Sequence, residues 1–195
     1  MGIRLKIHKI KLKYKGGIQM KLINLMKHLN TITKHKWYVF CACKDIRLYW
    51  RGITHDMSKY TPIELFSSAQ YFQGTKSPID VEKTAKGYSL AWQHHKRKNS
   101  HHWEYWIDFK DGQVITLKIP YKDVLELICD WIGAGKAYNT SDWNQKVPYE
   151  YWMKNKHKYK LHPETEVFIN QILVDINHFG WKLTKWLIIS KAYVY

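Results

Sequence analysis

The hydrophobic residues of this chain recur mostly every three or four positions, which is the spacing of helices with one buried face. This pattern predicts six helices, over about residues 18–29, 31–51, 61–72, 78–98, 120–132 and 163–180. Gly52 and Gly180 are expected to end the second and the last of them. Gly133-Ala134-Gly135 is expected to loosen or end the fifth. The pattern therefore predicts a mainly α-helical fold.

Two of the predicted helices begin at the same kind of start signal. Thr61-Pro62-Ile63-Glu64 has the spacing of a capping box, in which threonine and glutamate side chains bind the first free N–H groups. Proline also suits the first helical position. Ser77-Pro78-Ile79-Asp80 repeats the signal, with an aspartate that the helix dipole favours in the first turn.

Two other segments have β character. Residues 106–119 predict a β-hairpin, because Asp111-Gly112 is a strong two-residue turn and the next residues favour strands. Residues 1–17 alternate apolar with basic residues up to a pair of glycines, which predicts a basic N-terminal arm or edge strand. Residues 18–195 are then expected to form one domain, with the hairpin as an insertion.

Size and composition favour a folded domain. The chain has 195 residues, 45% of them hydrophobic and ten of them tryptophan, which is enough for one full core. No apolar run approaches the roughly 18 residues that a membrane span needs, and no secretory signal precedes the helices. Cys41, Cys43 and Cys129 lie in apolar stretches and are odd in number, so we expect reduced, buried thiols in a cytoplasmic protein.

The charge of the chain indicates the class of its ligand. Thirty-two Lys and Arg against sixteen Asp and Glu give a formal net charge of +16, which attracts polyanions at long range. We therefore expect a phosphate-bearing small molecule or nucleotide, or a nucleic acid, as the partner. Residues 138–160 interleave lysines with aromatic side chains, as nucleic-acid-binding surfaces do. The alternatives are lysine-rich faces with no partner, and aromatic residues that merely cover the core.

Histidines and carboxylates at particular positions suggest a metal site. His55-Asp56, with Lys59 three residues later, brings a nitrogen ligand, an oxygen ligand and a cation into one turn. His35 lies at helical spacing on an apolar stripe, where a histidine can also be a satisfied core residue. Asp130 lies among apolar neighbours, and burying an unpaired carboxylate costs several kcal/mol, so it needs a cation. A lysine or arginine partner, or an outward orientation, is the alternative for Asp130.

Further histidines follow in the chain. Helical phase favours His95 over His94 as the inward residue of the first pair. His101-His102-Trp103-Glu104-Tyr105 supplies a second adjacent pair, and a surface loop is the alternative interpretation of this run.

The order of His35, His55-Asp56 and Asp130 resembles that of the HD-domain metal-dependent phosphohydrolases, whose signature is a histidine, an adjacent His-Asp and a distant aspartate. The His-His-x-Glu run resembles the extended metal set of HD-GYP-type phosphodiesterases, although the Gly-Tyr-Pro element is absent from the sequence. The chain also resembles a small uncharacterised bacterial and phage family with the same His-Asp-x-Ser-Lys and His-His-x-Glu-Tyr-Trp runs. The resemblance implies an HD-like helical bundle.

The resemblance also implies roles for individual residues. Asp56 would bridge two metal ions, and the remaining ligands would be divided between them: His35, His55 and Asp130 on one ion, and His95, His101 and His102 on the other. Lys59 would offset charge on a phosphate during hydrolysis, with Trp103 and Tyr105 against the substrate. Such nitrogen and oxygen ligands suit one or two ions of Mn²⁺, Fe²⁺, Co²⁺, Ni²⁺ or Zn²⁺.

The predicted function is therefore metal-dependent hydrolysis of a nucleotide, cyclic nucleotide or related phosphoester. The sequence contains no Walker-type glycine loop, no Gly-x-Ser-x-Gly elbow and no dinucleotide fingerprint that would indicate other catalytic chemistry. The alternative is a basic protein that binds nucleic acid or another protein, in which the histidine cluster is structural or vestigial.

Overall fold

The computed structural model describes residues 11–14, 18–138 and 141–195, and this part of the chain is mainly α-helical, as predicted. It contains eight α-helices: α1 (Leu22–Asp45), α2 (Tyr49–Thr54), α3 (Pro62–Tyr71), α4 (Pro78–Lys86), α5 (Leu90–Lys98), α6 (Tyr121–Tyr138), α7 (Val147–Asn155) and α8 (Pro163–Ile189). Its four strands are β1 (Lys11–Tyr14), β2 (Ile18–Lys21), β3 (Ile107–Lys110) and β4 (Gln113–Thr116). As expected, none of the helices described here is both long and apolar enough to cross a membrane.

The chain divides into two compact units. The first comprises the described residues up to 34 together with residues 56–98, and the second comprises residues 35–55 and the described residues from 99 to 195. The single domain over residues 18–195 stays a prediction.

The second unit contains an extended apolar core. It is built from the C-terminal half of α1 and from α6, α7 and α8, and its fully buried members include Val39, Cys43, Leu127, Ile128, Cys129, Trp152, Ile169, Ile172 and Leu173. Each such aliphatic side chain stabilises the fold by roughly 1.5–3 kcal/mol. The apolar face predicted for α6 is confirmed. All three cysteines are free thiols; Cys43 and Cys129 are buried as expected, whereas Cys41 is only partly buried. Burial raises the pKa of Cys129.

The described interior of the first unit is more polar. Its buried side chains include Asp56, Glu64, Glu82 and His95, each at most 3% exposed. Glu82 shows how such groups are satisfied, because its carboxylate accepts hydrogen bonds from Ser67, Ser89 and Lys86. Hydrogen bonds between elements therefore contribute much of what holds this unit together.

The N-terminal helices differ from the prediction. Residues 18–21 form a strand, and one continuous helix, α1, replaces the two predicted on either side of Asn30. The helix ends at Asp45, and two residues later Arg47 adopts a left-handed conformation with φ of 64°. The Leu48 N–H then bonds to the Cys43 carbonyl at 2.8 Å, and the Arg47 N–H bonds to the Lys44 carbonyl at 3.1 Å. This Schellman closure needs no glycine, so no glycine marks the end of α1 in the sequence.

Gly52 is not the predicted stop signal, since it lies inside α2. A Cβ atom at this position would lie 2.9 Å from Cys43 Cβ and 3.2 Å from Phe40 Cα. Glycine is therefore needed because α2 lies directly against the backbone of α1.

The predicted helix over residues 78–98 is also wrong, because it is two helices. Gly87, with φ of 81°, ends α4, and its N–H bonds to the Lys83 carbonyl at 2.7 Å. The Ser89 hydroxyl then accepts the Trp92 N–H at 3.0 Å and caps α5.

The hairpin prediction for residues 106–119 is confirmed. Strands β3 and β4 pair in antiparallel fashion, and Asp111 and Gly112 have the positive φ values, 51° and 75°, of a type I′ turn. Strands β1 and β2 form a second antiparallel pair, with Lys11 opposite Lys21. In the predicted N-terminal arm, residues 1–10 and 15–17 lie outside the described residues.

The segment between α6 and α8 supports the structural alternative for its aromatic residues. Trp152 is fully buried and stacks on Trp131 with ring centroids 5.7 Å apart, and Tyr159 packs against both. Of the five Trp and Tyr side chains between Trp143 and Tyr159, only that of Tyr151 is exposed by nearly half. The expected stacking surface for nucleic acid is therefore largely a cover of the core.

Two predicted helix ends have different outcomes. Helix α8 is interrupted at Gly180, where φ is 80° and ψ is 163°, close to its predicted end, and then continues to Ile189. Helix α6, in contrast, runs through Gly133 and Gly135 to Tyr138, so the prediction of an end there is wrong. Gly133 is present because α6 packs closely against α1 at this position, and not because the helix ends there.

We expect Gly133→Ala to lower the free energy of unfolding by about 1–3 kcal/mol, because its Cβ would lie 2.4 Å from Val39 Cγ2 and 2.9 Å from the Val39 backbone nitrogen. Helix propensity alone would raise the free energy of unfolding by about 1 kcal/mol on replacing glycine with alanine. The sign of the measured change therefore distinguishes close packing from propensity. Gly135→Ala is the matched control, since it meets only the side chains of Trp143 and Val147, at 3.1 Å. Urea unfolding checks both, and a Gly133→Ala variant as stable as wild type would contradict the account.

Candidate metal centre

Four elements of the second unit bring histidines and carboxylates together. His35 lies on α1, His55 directly follows α2, and His101 lies in the turn before the short 3₁₀ helix Trp103–Trp106. Glu126 and Asp130 lie one turn apart on α6. The three histidines are at most 6% exposed, and the Asp130 side chain is 14% exposed.

The Nε2 atoms of the three histidines surround one carboxylate. His35 Nε2 lies 3.1 Å from Asp130 Oδ1, His55 Nε2 lies 3.6 Å from the same oxygen, and His101 Nε2 lies 4.0 Å from Oδ2. Burial alone would raise the pKa of Asp130, but the imidazoles of His35 and His55 hold it well below its ordinary value. Asp130 is therefore an anion within reach of three imidazoles.

The opposite nitrogens of two of these rings bind a second carboxylate. Glu126 Oε1 lies 2.9 Å from His55 Nδ1 and 3.2 Å from His101 Nδ1. Burial would raise the pKa of Glu126, but hydrogen bonds from His101 and His55 lower it to about 2. A carboxylate that accepts Nδ1–H fixes the tautomer and leaves the Nε2 lone pair available to a metal.

Glu126 is in turn held by Arg51. The guanidinium donates to Glu126 Oε2 at 2.8 Å and to the two oxygens of Asp123 at 2.8 and 3.1 Å. Ser100 donates to Asp123 Oδ1 at 2.5 Å. This chain of charged hydrogen bonds fixes Glu126, and through it the orientation of His55 and His101.

Two alternative metal positions follow from these contacts. The ligand atoms of His55, His101 and Glu126 all lie within 4.8 Å of one another, so an ion could be held on the Nδ1 side. The distances from Glu126 to the two Nδ1 atoms are ordinary hydrogen-bond lengths, however, and the other oxygen of Glu126 is already bound by Arg51. On the Nε2 side, metal–ligand bonds of about 2.0–2.2 Å place neighbouring ligand atoms about 3.0–3.4 Å apart. The 3.1 Å between His35 and Asp130 fits, and the 3.6 Å from His55 requires a small contraction, and the ligand atoms of these three residues all lie within 4.8 Å of one another. His101, at 4.0 Å from Asp130, does not belong to that group.

The first unit contains a separate group around Asp56. This residue has a left-handed φ of 53° and precedes the 3₁₀ turn Met57–Tyr60. Lys59 Nζ lies 2.6 Å from Asp56 Oδ2, and His95 Nε2 lies 3.2 Å from Asp56 Oδ1. Burial would lower the pKa of His95, but the charge of Asp56 and hydrogen bonds to Asp56 and Glu64 raise it.

Glu64 has a different role from the predicted one. Its two carboxylate oxygens lie 2.6 Å from His94 Nδ1 and 2.8 Å from His95 Nδ1, so it binds both rings. Burial would raise the pKa of Glu64, but the hydrogen bonds from His95 and His94 lower it. The predicted capping box is therefore wrong, although α3 begins where it was expected. The Thr61 hydroxyl makes no cap and donates to the Ser58 carbonyl instead.

The remaining predicted residues lie as follows. The His102 ring packs on that of His101, with centroids 4.2 Å apart. Trp103 is partly buried against the core and contacts Tyr159, whereas Tyr105 is 48% exposed. His95 is buried and His94 is half-buried, in agreement with the helical phase. The assigned roles of all these residues stay predictions.

The sequence interpretation missed the carboxylates that orient the histidines. A signal was present on α6, where Asp123, Glu126 and Asp130 recur at spacings of three and four among buried apolar residues. Three acidic residues on one buried face require partners, so they could have been identified. Arg51 and Glu64 had no comparable signal, because a helix terminus and a capping box gave sufficient local explanations.

Comparison with known proteins gives one match. A family model described as "Family of unknown function (DUF5662)" matches residues 24–175, a span that contains both groups of histidines and carboxylates. No curated protein and no solved structure matches the chain.

We expect Glu126→Gln to weaken binding of Zn²⁺ by about 10- to 100-fold, because the neutral amide is a weaker acceptor for the two Nδ1–H groups. A competition titration against a chromophoric chelator measures this. Glu150→Gln, on the exposed surface of α7, is the control and should bind as wild type does. Equal affinity of Glu126→Gln and wild type would show that Glu126 does not support the site.

Proposed function

We propose that this chain, which belongs to the DUF5662 family, is a metal-dependent phosphohydrolase. The observation that carries the proposal is the approach of the Nε2 atoms of His35 and His55 to Asp130 Oδ1, at 3.1 and 3.6 Å. Glu126 meanwhile binds the Nδ1 side of His55 and His101. A buried core site without such a purpose would be expected to use fewer groups that are costly to desolvate.

His35, His55 and Asp130 would hold a divalent ion, and imidazoles with a carboxylate suit Mn²⁺, Fe²⁺, Co²⁺, Ni²⁺ or Zn²⁺. An ion of this kind would lower the pKa of a water molecule bound to it, and its positive charge would stabilise negative charge on a phosphoryl group. The residues of the chain hold and orient these groups. Glu126 keeps the two Nδ1 protons in place, and the apolar core around α6 limits the access of water to the ligands.

Asp56, His95, His101 and His102 enter the proposal as ligands of a second ion on the resemblance and the sequence. Asp56 follows His55 through a single peptide bond, and in HD-domain proteins the corresponding aspartate is shared by two ions. The contacts of Asp56 with His95 and Lys59 show that its carboxylate binds cationic and nitrogen groups within its own unit. One or two ions are therefore consistent with the proposal.

Lys59 is the group that we propose for the phosphate of the substrate. Its side chain is 26% exposed, and its ammonium group already binds a carboxylate oxygen of Asp56. An ammonium group at such a position offsets charge that develops on phosphate oxygens. The formal net charge of +16 favours a phosphate-bearing substrate, such as a nucleotide, a cyclic nucleotide or a related phosphoester.

A second candidate is a nucleic-acid-binding or protein-binding protein in which the histidine cluster is structural. It is favoured by the exposed aromatic surface of the second unit, where Trp37 is 60% exposed and Trp50 is 73% exposed. Exposed indoles beside basic residues stack on unpaired bases. Metal-dependent turnover separates the two candidates.

We expect wild-type protein with Mn²⁺ to hydrolyse bis(p-nitrophenyl) phosphate or a member of a nucleotide panel. Asp130→Asn should lose metal and turnover together. Lys59→Ala should keep metal but lose turnover by about 100-fold, because its role is on phosphate charge. Asp111→Asn is the control: it removes a carboxylate from the exposed hairpin turn, where asparagine is equally favoured. If no substrate and no metal gives turnover above that of Asp130→Asn, the second candidate replaces the first.

A further inference from the structure

A groove in the second unit has no residue in common with the candidate metal centre. Its volume is about 660 Å³, and it lies beside the interruption of α8. It is lined by Trp143, Asn144, Gln145, Lys146, Trp181 and Lys182. A cavity of this size is within the range of sites for small ligands, about 300–1,000 Å³.

The first wall of the groove is fixed by a glycine on α6. A Cβ atom on Gly135 would lie 3.1 Å from Trp143 Nε1, so the indole packs directly against the helix at this point. Lys136 Nζ lies over the same indole, 4.5 Å from the centroid of the Trp143 ring. This cation–π contact adds a positive charge next to the groove.

The second wall depends on the interruption of α8. Gly180 has a φ that favours glycine, and a Cβ atom there would lie 2.4 Å from Gln145 Oε1. The carboxamide of Gln145 therefore fills the space that a side chain would take. The next residue, Trp181, donates its Nε1–H to Asp45 Oδ2 at 2.9 Å, which holds the second indole.

The chemistry of the lining selects a class of ligand. It offers two indole rings, the carboxamide of Gln145, which can donate and accept hydrogen bonds, and two lysines, and none of the six lining residues is acidic. Lys146 and Lys182 are exposed, whereas the neighbouring acid Asp45 is already bound by Trp181 and Lys185. Asp142, also nearby in the chain, is exposed. A ligand that matches this lining has a flat aromatic ring with polar edges and at least one anionic group.

We propose that this groove is a nucleotide-binding site, with the base against Trp143 and Trp181 and the phosphate on Lys146 and Lys182. Stacking on aromatic rings is worth roughly 1–3 kcal/mol per base and suits any base. The carboxamide of Gln145 supplies a donor and an acceptor for the base edge. The carboxamide of Asn144 instead accepts the Lys146 backbone N–H at 2.9 Å and donates to the Asp142 carbonyl at 3.4 Å, which orders the loop beside Lys146. The site is separate from the metal centre, so it does not depend on the proposed hydrolysis.

Calorimetric titration of the full chain with AMP, GMP, CMP and UMP tests the site. At least one nucleotide should bind with a Kd below about 1 mM, and about tenfold or more tightly than ribose 5-phosphate, which has no base to stack. Inorganic phosphate should bind more weakly still. The proposal is overturned if none of the four nucleotides binds, or if ribose 5-phosphate binds as tightly as they do.

Variants locate the binding. Lys146→Ala/Lys182→Ala should weaken nucleotide binding by about tenfold or more, because charged hydrogen bonds to the phosphate are lost. Lys122→Ala/Lys154→Ala removes the same charge from exposed positions outside the groove and should have little effect. Asp130→Asn should bind the nucleotide as wild type does. An equal loss in both lysine variants would indicate general charge attraction, and a loss in Asp130→Asn would place the nucleotide in the metal centre; either result overturns the proposal.

Discussion

A buried carboxylate needs a positive or hydrogen-bonding partner, and the described structure around α6 depends on meeting this need. Glu126 is satisfied from two sides, by Arg51 on one oxygen and by the imidazoles of His55 and His101 on the other. An unpaired charge at this depth would cost several kcal/mol. The contacts therefore bind α2, the residue that follows it and the turn before β3 to one face of α6.

The same need explains why the histidines could act on a metal. Because Glu126 occupies Nδ1 of two rings, their Nε2 atoms remain on the side of Asp130, where His35 adds a third. Stability and proposed function therefore use opposite nitrogens of the same imidazoles. In the first unit, Glu64 binds Nδ1 of His95 in the same way, and Nε2 of that ring faces Asp56.

Local sequence signals predicted the features that depend on neighbouring residues. Helical periodicity gave the buried face of α6, and Asp111-Gly112 gave the hairpin turn. These local signals failed where the role of a residue depends on a partner that is distant in the chain. Gly133 looks like a helix breaker in the sequence, but its role is to admit the backbone of α1 at Val39. The chain order predicted His35, His55 and Asp130 as a set, and the second unit does bring these three together. The partners of Glu126 lie 71 and 25 residues away in the chain, so no local pattern indicates them.

An anomalous difference map tests the central claim most directly. The crystal would be grown from protein purified without a histidine tag and with Zn²⁺ present, and data would be collected at the zinc edge. The account predicts a peak about 2.0–2.2 Å from Nε2 of His35 and His55 and from an oxygen of Asp130. A map with no peak at these atoms, or with a peak on the Nδ1 side beside Glu126, would contradict it.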